Sequence, residues 1–227
     1  MHVFVNAAMS ADGKLSTRRR EQVRISGAED FARVDRLRAD ADAILVGVGT
    51  VLADDPHLTV DDPSLRAART DRGDPANPAR VVVDSTGRTP VDARILDGAA
   101  TTYVVVSSAA TDSRRRALDK AGAEVVVAGN ERVALGDALS ELATRGVDSL
   151  MVEGGGEVIN SFFAAGLVDD LSVYVGSLIV GGRDAPTLAD GDGFVDSFPD
   201  LSLEGVRRID DGVLLEYAVT GRSEPDG

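Results

Sequence analysis

The sequence predicts an α/β fold with a mainly parallel sheet flanked by helices, and three observations support this. Short apolar runs alternate with segments of helical periodicity as far as Val152, and strand-like runs follow one another after Ala165. The length of 227 residues, with 43% hydrophobic and 27% charged residues, suits one domain with a substantial core. Alternation of this kind is typical of parallel strands joined by crossover helices. We therefore predict a single domain over residues 1–220 and a disordered tail over 221–227.

The first elements follow from local patterns. Val3–Ala8 is short and apolar, which predicts a strand. Ser26–Glu29 has the spacing of a helix capping box and predicts a helix over Ala28–Ala39. Ala43–Val48 is a continuous apolar run that ends at the glycines of Gly47–Thr50, so we expect a strand buried on both faces followed by a tight turn.

The later elements are predicted in the same way. The strands are Arg80–Val83, Thr102–Val106, Glu124–Val127 and Ser149–Val152, and the helices are Asp112–Ala121, Val133–Thr144 and Glu157–Ala165. The runs Leu171–Val175, Leu201–Ile209 and Val213–Val219 have no helices between them, which predicts antiparallel strands at the C-terminal edge of the sheet. Prolines among charged residues predict long exposed loops at Asp61–Ala79 and Asp184–Asp200.

The charge balance excludes some partners. The 24 Lys and Arg residues face 38 Asp and Glu residues, for a net charge of -14, so binding to a nucleic-acid backbone is not expected. Only Lys14 and Lys120 are lysines, and aspartate outnumbers glutamate, a composition typical of halophilic proteins. In molar salt the Debye length is about 3 Å, so such a surface loses most of its self-repulsion. The alternative is an ordinary acidic cytosolic protein.

The absence of cysteine excludes disulfides, zinc thiolates and thiol catalysis. With only His2 and His57, we expect no metal site. The apolar start lacks a basic leader, and no apolar run has the length of a membrane span, so we expect a cytoplasmic protein without membrane contact.

Three segments at predicted strand ends carry polar or glycine residues suited to a nucleotide. Glu153-Gly154-Gly155-Gly156-Glu157 lies between a strand and a helix, where glycines let backbone N–H groups approach a diphosphate. Thr50–Pro56 supplies a hydroxyl and two carboxylates that can orient a sugar or relay a proton. Asp84-Ser85-Thr86-Gly87-Arg88 adds two hydroxyls and a guanidinium that fits the 2′-phosphate of NADP. Each segment alone is also consistent with an ordinary turn, and their combination favours nucleotide binding.

Other polar residues have structural alternatives. His57 lies beside a proline, a place where a lone histidine is more often structural than catalytic. Arg18, Arg19, Arg20 and Arg24 form a basic cluster that is either a solvated face or an attraction for a phosphorylated substrate.

Several motifs resemble those of a known family. The stretches are Asn6–Lys14, Leu37–Ala39, Gly47–Pro56, Leu58–Val60, Asp84–Ser85 and Val152–Gly156. In this order, over nearly the whole chain, they resemble the riboflavin-pathway pyrimidine reductases, especially the single-domain archaeal members. The resemblance implies a dihydrofolate-reductase-like fold, a homodimer, and NADPH as hydride donor, with NADH as the alternative. The implied reaction reduces the ribose of 2,5-diamino-6-(ribosylamino)-4(3H)-pyrimidinone 5′-phosphate to a ribityl chain.

The resemblance also implies roles for individual residues. NADPH would contact Thr50, Asp54, Ser85 and the turn Gly154–Glu157, and the substrate would contact Arg38, Leu58 and Glu153. Lys14, Arg24 and Arg38 are candidates for the substrate phosphate, because Asp61 stands where bacterial relatives tend to carry an arginine. Without cysteines, the zinc deaminase that is fused to bacterial relatives is not expected in this chain.

The expected chemistry is hydride transfer to C1′ of a ring-opened imine, with Asp54 or Glu153 assisting proton transfer. Two other functions are kept as alternatives. One is dihydrofolate reductase itself, although this chain has no tryptophan and so lacks that family's tryptophan-proline signature. The other is a nucleotide-binding module without catalysis.

Overall fold

The computed structural model of the protein describes residues 1–221. The rest of the tail predicted to be disordered, residues 222–227, lies outside the described residues. The strands in the described part are β1 (His2–Ser10), β2 (Ala43–Gly47), β3 (Ala79–Val83), β4 (Thr102–Val106), β5 (Glu124–Val127), β6 (Ser149–Gly154), β7 (Asp170–Gly176), β8 (Leu201–Ile209) and β9 (Gly212–Val219). The helices there are α1 (Ala28–Asp40), α2 (Val48–Asp54), α3 (Pro63–Asp71), α4 (Asp112–Lys120), α5 (Leu135–Ala143) and α6 (Gly156–Ala164), with a short 3₁₀ turn at Arg94–Leu96.

The described strands form one sheet in the order β5-β4-β3-β2-β6-β1-β7-β9-β8. Strands β2 to β5 pair in parallel with their sequence neighbours, and β1 pairs in parallel with β7. Strand β9 is antiparallel to both β7 and β8. The predicted α/β class, with a mainly parallel sheet and an antiparallel C-terminal edge, is therefore confirmed.

Strand β7 differs in part from the prediction, which placed it among the antiparallel strands. It is antiparallel to β9 but parallel to β1. The physical reason is that helix α6 reverses the chain direction before β7, as a crossover to a parallel strand requires.

Two predicted irregular segments are helical instead. The expected loop over Asp61–Ala79 contains α3, because proline is well tolerated at the first position of a helix and Pro63 stands there. The Asp62 side chain accepts the Ser64 N–H at 2.7 Å and caps the helix. Buried Arg69 of α3 donates to the carbonyls of Ala39 and Ala41 at 2.6 and 2.8 Å, which fixes α3 against the end of α1.

The expected tight turn at Gly47–Thr50 is the start of α2, which begins at Val48 directly after β2. Val48 and Val51 are both buried in the apolar cluster that includes Ile44, so core packing outweighs the two glycines. The predicted loop over Asp184–Asp200 contains no helix or strand, and an isolated bridge joins Thr187 to Lys14.

The chain is organised as two compact units. The first unit is Met1 with Asp35–Met151, and the second is His2–Val34 with the chain from Val152 onward. In the first unit, buried residues of β2, β3 and β4 form one apolar core with Leu58 and Leu118. In the second, Ile159 and Phe162 of α6 are completely buried. The single domain over 1–220 stays a prediction.

Candidate functional site

Helix α2 of the first unit carries two of the predicted site residues, Thr50 and Asp54, both half-buried. Buried Val51 fixes the helix to the core. Asp55 ends the helix in a left-handed conformation, with φ of 42°, and its N–H bonds the Val51 carbonyl at 3.0 Å. Its carboxylate accepts the Arg94 N–H at 2.8 Å. Thr50 and Asp54 are therefore held on a short helix that is anchored at both ends.

The residues after α2 are fixed by a polar network. The Arg94 Nε–H donates to His57 Nε2 at 2.9 Å, which assigns the proton to Nδ1, and Nδ1–H donates to Asp97 at 3.0 Å. The other Asp97 oxygen accepts from Arg80, whose side chain is completely buried. Burial acts to raise the pKa of Asp97, but hydrogen bonds from the Ala99 N–H and from Arg80 outweigh it and hold the pKa below its ordinary value. Both ring nitrogens of His57 are thus hydrogen-bonded to side chains, those of Arg94 and Asp97, as expected for a structural histidine.

Leu58 and Arg38 lie close together in the first unit. Leu58 adopts a left-handed backbone and its side chain is buried in the core, so a ligand can contact it only through the backbone. Arg38 donates to the carbonyl of the next residue, Thr59, at 3.1 Å. The backbone N–H groups of Asp61 and Asp62 both donate to the Asp35 carboxylate. Asp35 of α1 therefore lies beside the two acidic residues, Asp61 and Asp62, of the segment that follows Thr59.

The loop after β3 is held by several hydrogen bonds. Buried Asp84 accepts both the N–H and the hydroxyl of Thr89 at 2.7 Å. Arg114 of α4 donates to the carbonyls of Gly87 and Thr89 at 2.6 and 2.7 Å. Gly87 has φ of +72°, a conformation that favours glycine. The Ser85 hydroxyl accepts the Val133 N–H at 3.1 Å.

Thr86 and Arg88 are the exposed side chains of this loop. Within residues 1–221, the Arg88 guanidinium makes no hydrogen bond or ion pair, so it is available to an external anion. Asp84, Thr89 and Arg114, which shape the loop, were missed in the sequence. Asp84 and Thr89 are five residues apart, beyond the spacing of an Asx turn or a capping box, and nothing in the sequence indicates that Arg114 reaches this loop.

In the second unit, β6 ends at Gly154 and α6 begins at Gly156, with a cis peptide bond between Gly154 and Gly155. Gly154 has φ of +134°, which favours glycine. The backbone N–H groups in the first turn of α6, at Gly156 and Glu157, have no partner within the helix and carry the positive end of its dipole. Glu153 is half-buried and Glu157 exposed.

The glycine turn is covered on one side by the chain itself. A Cβ on Gly156 would lie 2.3 Å from the Thr187 carbonyl oxygen and 2.7 Å from an Asp190 carboxylate oxygen. The Asp190 N–H donates to the Gly156 carbonyl at 3.1 Å, and its carboxylate accepts the Thr187 N–H. Sequence reasoning missed Thr187 and Asp190, which lie in a segment without periodicity. The Cα of Gly156 is therefore closely covered by the protein's own backbone, and the predicted contact of these glycines with a diphosphate stays a prediction.

Lys14 is joined to the same covering segment. Its ammonium group donates to the Ala185 carbonyl at 3.1 Å, and its backbone pairs with Thr187. Asp12 accepts the Ser10 hydroxyl at 2.6 Å and the Val180 N–H at 3.0 Å, and these bonds lower its pKa from 3.8 to about 2. The second unit therefore brings together Lys14 and the Gly154–Glu157 turn through one loop.

The predicted residues divide between the two units. The first unit holds Thr50, Asp54, Leu58, Arg38, Ser85, Thr86, Gly87 and Arg88, and the second holds Lys14, Glu153, Gly154, Gly155, Gly156 and Glu157. Across residues 1–221, no group of three or more His, Asp or Glu side chains is arranged to hold a metal ion. In the same range, no helix has the length and apolar character needed to cross a membrane.

Comparison with known proteins gives the family. The sequence model of the RibD C-terminal domain matches residues 1–215. This chain belongs to the RibD C-terminal domain family. The matched range includes all the motifs, from Asn6 to Gly156, on which the sequence resemblance was based.

Two archaeal relatives match this RibD C-terminal domain over nearly its whole length. A protein of Archaeoglobus fulgidus is 49% identical over 221 residues, which make up 97% of either chain. A protein of Methanothermobacter thermautotrophicus is 45% identical over 223 residues, which cover 97% of this chain and 99% of the relative. Both relatives are named 2,5-diamino-6-ribosylamino-4(3H)-pyrimidinone 5′-phosphate reductase.

Among solved structures, RibD of Acinetobacter baumannii superposes with a TM-score of 0.78 at 25% identity. The superposition covers 97% of this chain and 58% of that one. The fold of this RibD C-terminal domain is therefore the dihydrofolate-reductase-like fold, as the sequence resemblance implied.

Proposed function

We propose that the protein reduces the ribose of 2,5-diamino-6-(ribosylamino)-4(3H)-pyrimidinone 5′-phosphate to a ribityl chain in riboflavin biosynthesis, with NADPH as hydride donor. The observation that carries the proposal is the 49% identity, over 97% of either chain, to a protein named as the reductase of this compound. The alternative substrate is the deaminated pyrimidine. The diamino form is favoured because both archaeal relatives are named for it.

The residues of the described chain fit a dinucleotide phosphate. The first turn of α6 offers unpaired backbone N–H groups at Gly156 and Glu157, the arrangement that binds a diphosphate. The Arg88 guanidinium is exposed without an internal partner and suits the 2′-phosphate of NADPH. Thr50, Asp54 and Ser85 complete the proposed cofactor contacts. When bound, NADPH supplies the hydride that C1′ receives.

The protein's own task is to position the sugar and to move protons. Ring opening breaks the C1′–O4′ bond and transfers a proton from the exocyclic nitrogen to O4′, leaving a C1′=N double bond. The reduced product needs one more proton on that nitrogen. We assign the proton transfers to Asp54 and Glu153, which are half-buried carboxylates. Arg38 and the backbone of Leu58 hold the substrate in place.

The decisive assay measures loss of NADPH absorbance with the diamino and deaminated pyrimidines and with dihydrofolate, using NADH in parallel, at low and high salt. We expect turnover with NADPH and the diamino pyrimidine, and highest activity at high salt. Turnover of dihydrofolate alone, or cofactor binding without any turnover, would contradict the proposal.

The catalytic carboxylate is tested by Asp54→Asn, which keeps the shape of the side chain and removes its ability to accept a proton. We expect a fall in kcat of about 10²-fold or more, the usual contribution of a general acid or base. Full turnover with unchanged affinity for both ligands would show that Asp54 has no such role.

We further propose a cytoplasmic homodimer adapted to high salt. The support is the net charge of -14 with only two lysines and the family resemblance. Light scattering across a salt series tests the dimer and its dependence on salt. A monomer at every salt concentration would exclude the dimer.

A further inference from the structure

The second unit contains a cavity that none of the proposed cofactor or substrate residues lines. Its volume is about 380 Å³, within the range of small-molecule sites. Its lining residues are Thr17, Arg18, Arg19, Glu21, Val180, Gly181 and Gly182. One wall is therefore a basic turn and the other a glycine-containing loop.

The basic wall is a turn held by its own hydrogen bonds. The Thr17 hydroxyl accepts the N–H groups of Arg19 and Glu21 at 3.2 and 3.3 Å. The Thr17 N–H donates to the Glu21 carbonyl at 3.1 Å and closes the turn. Arg18 and Arg19 therefore project from a defined backbone.

The opposite wall is also fixed. The N–H groups of Val180 and Gly181 donate to the Asp12 carboxylate at 3.0 and 2.7 Å. A Cβ on Gly182 would lie 3.5 Å from the Arg18 Cβ, so the two walls approach each other closely at this glycine. The cavity is thus bounded by two ordered segments of the same unit.

The charges in the cavity are unusual for this chain. Within residues 1–221, neither Arg18 nor Arg19 forms a hydrogen bond or an ion pair through its side chain, although the chain has a net charge of -14. Among the described lining residues, Glu21 is the only one with a carboxylate. Two exposed arginines without internal side-chain partners, both lining one cavity, supply the positive charge and the hydrogen-bond donors that a phosphate monoester requires.

We infer that this cavity binds a phosphate monoester on a sugar, through Arg18 and Arg19. The cavity lies near Lys14, one of the predicted substrate residues, since Lys14 lies three residues before Thr17 and contacts Ala185 of the segment that follows Gly182. Assigning the ligand as the 5′-phosphate of the pyrimidine substrate rests on the proposed function. Binding of a sugar phosphate does not.

The test uses the full-length protein and calorimetric titration with ribose 5-phosphate, ribose and adenosine 2′-phosphate at low salt. The variants are the double substitution Arg18→Gln with Arg19→Gln, the single substitution Glu21→Gln, and the double substitution Arg116→Gln with Lys120→Gln at exposed positions of α4 as a charge-matched control. We expect wild type to bind ribose 5-phosphate but not ribose. The Arg18→Gln, Arg19→Gln variant should lose at least about tenfold in affinity, whereas Glu21→Gln should bind more tightly.

Equal affinity of wild type and the Arg18→Gln, Arg19→Gln variant for ribose 5-phosphate would overturn the inference, as would an equal loss in the Arg116→Gln, Lys120→Gln control. A loss confined to adenosine 2′-phosphate would assign the cavity to the cofactor and also overturn it. In the reductase assay, the Arg18→Gln, Arg19→Gln variant should raise KM for the pyrimidine phosphate about tenfold and leave KM for NADPH unchanged. If no pyrimidine is reduced, the proposed function fails while the titration still decides the cavity.

Discussion

Replacing Gly156 by alanine tests how closely the covering segment approaches the glycine turn. The new Cβ would lie 2.3 Å from the Thr187 carbonyl oxygen, whereas carbon contacts are ordinarily about 3.5 Å, so one side must retreat by roughly 1 Å. Overpacking of this size costs about 1–3 kcal/mol. In a protein of this length, each kcal/mol lowers the Tm by about 2–4 °C. Displacement of the first turn of α6 away from Thr187 should lower the affinity for NADPH as well.

Gly136→Ala is the matched control, since Gly136 is the second residue of α5 and no atom lies within 4 Å of its added Cβ. That variant should be as stable as wild type or gain up to about 1 kcal/mol. Thermal unfolding and NADPH titration of both variants give the comparison. If Gly156→Ala matches Gly136→Ala in Tm and wild type in affinity, the close approach of Thr187 to the turn is refuted.

Two further predictions concern carboxylates. Asp97→Asn should lower the free energy of unfolding, measured in urea, by about 1–3 kcal/mol, because buried Arg80 loses its ionic partner; the figure is reduced for the 32% exposure of Asp97. Adding Arg80→Met to this variant should restore part of the lost stability. If the effects of the two substitutions simply add, the ion pair does not have this role. Asp12 has its pKa lowered from 3.8 to about 2, first by the Ser10 hydroxyl, so its contribution to stability is complete above pH 3.8 and is lost as the pH falls through about 2. The Tm difference between wild type and Asp12→Asn should shrink over that interval, and a constant difference would exclude the linkage.

The strands were predictable because their apolar runs are rich in β-branched residues. The bounds of β4 at Thr102–Val106 and of β5 at Glu124–Val127 agree with the prediction to the residue. Helix α3 was missed because Pro63 was taken as a loop signal, whereas proline at the first position of a helix favours it. Local pattern therefore determined most elements. It failed at α3, where proline can mark either a loop or the start of a helix, and at α2, where burial of Val48 and Val51 outweighs the two glycines.

The candidate site was predictable as a set of segments but not as an arrangement. The motifs at Thr50–Asp54 and Gly154–Glu157 are continuous in sequence, so their strand-end positions follow from the order of elements. The partners that shape the site segments, Arg114 and Asp190, are each separated from them by more than twenty residues and lie in no recognisable motif. Such contacts depend on tertiary packing, which a single sequence does not reveal.

The guanidinium of Arg69 bears on how this protein can be re-engineered. Its Nε–H donates to the Pro75 carbonyl and one terminal nitrogen donates to the carbonyls of Ala39 and Ala41. Arg114 likewise uses its Nε–H for the Gly87 carbonyl and a terminal nitrogen for that of Thr89. A lysine ammonium is a single point and cannot span such sets. Arginine at these places is a geometric requirement of the fold rather than part of the chain's general preference for arginine over lysine. A lysine-enriched version made for low-salt expression should leave these arginines unchanged and alter only those on the open surface.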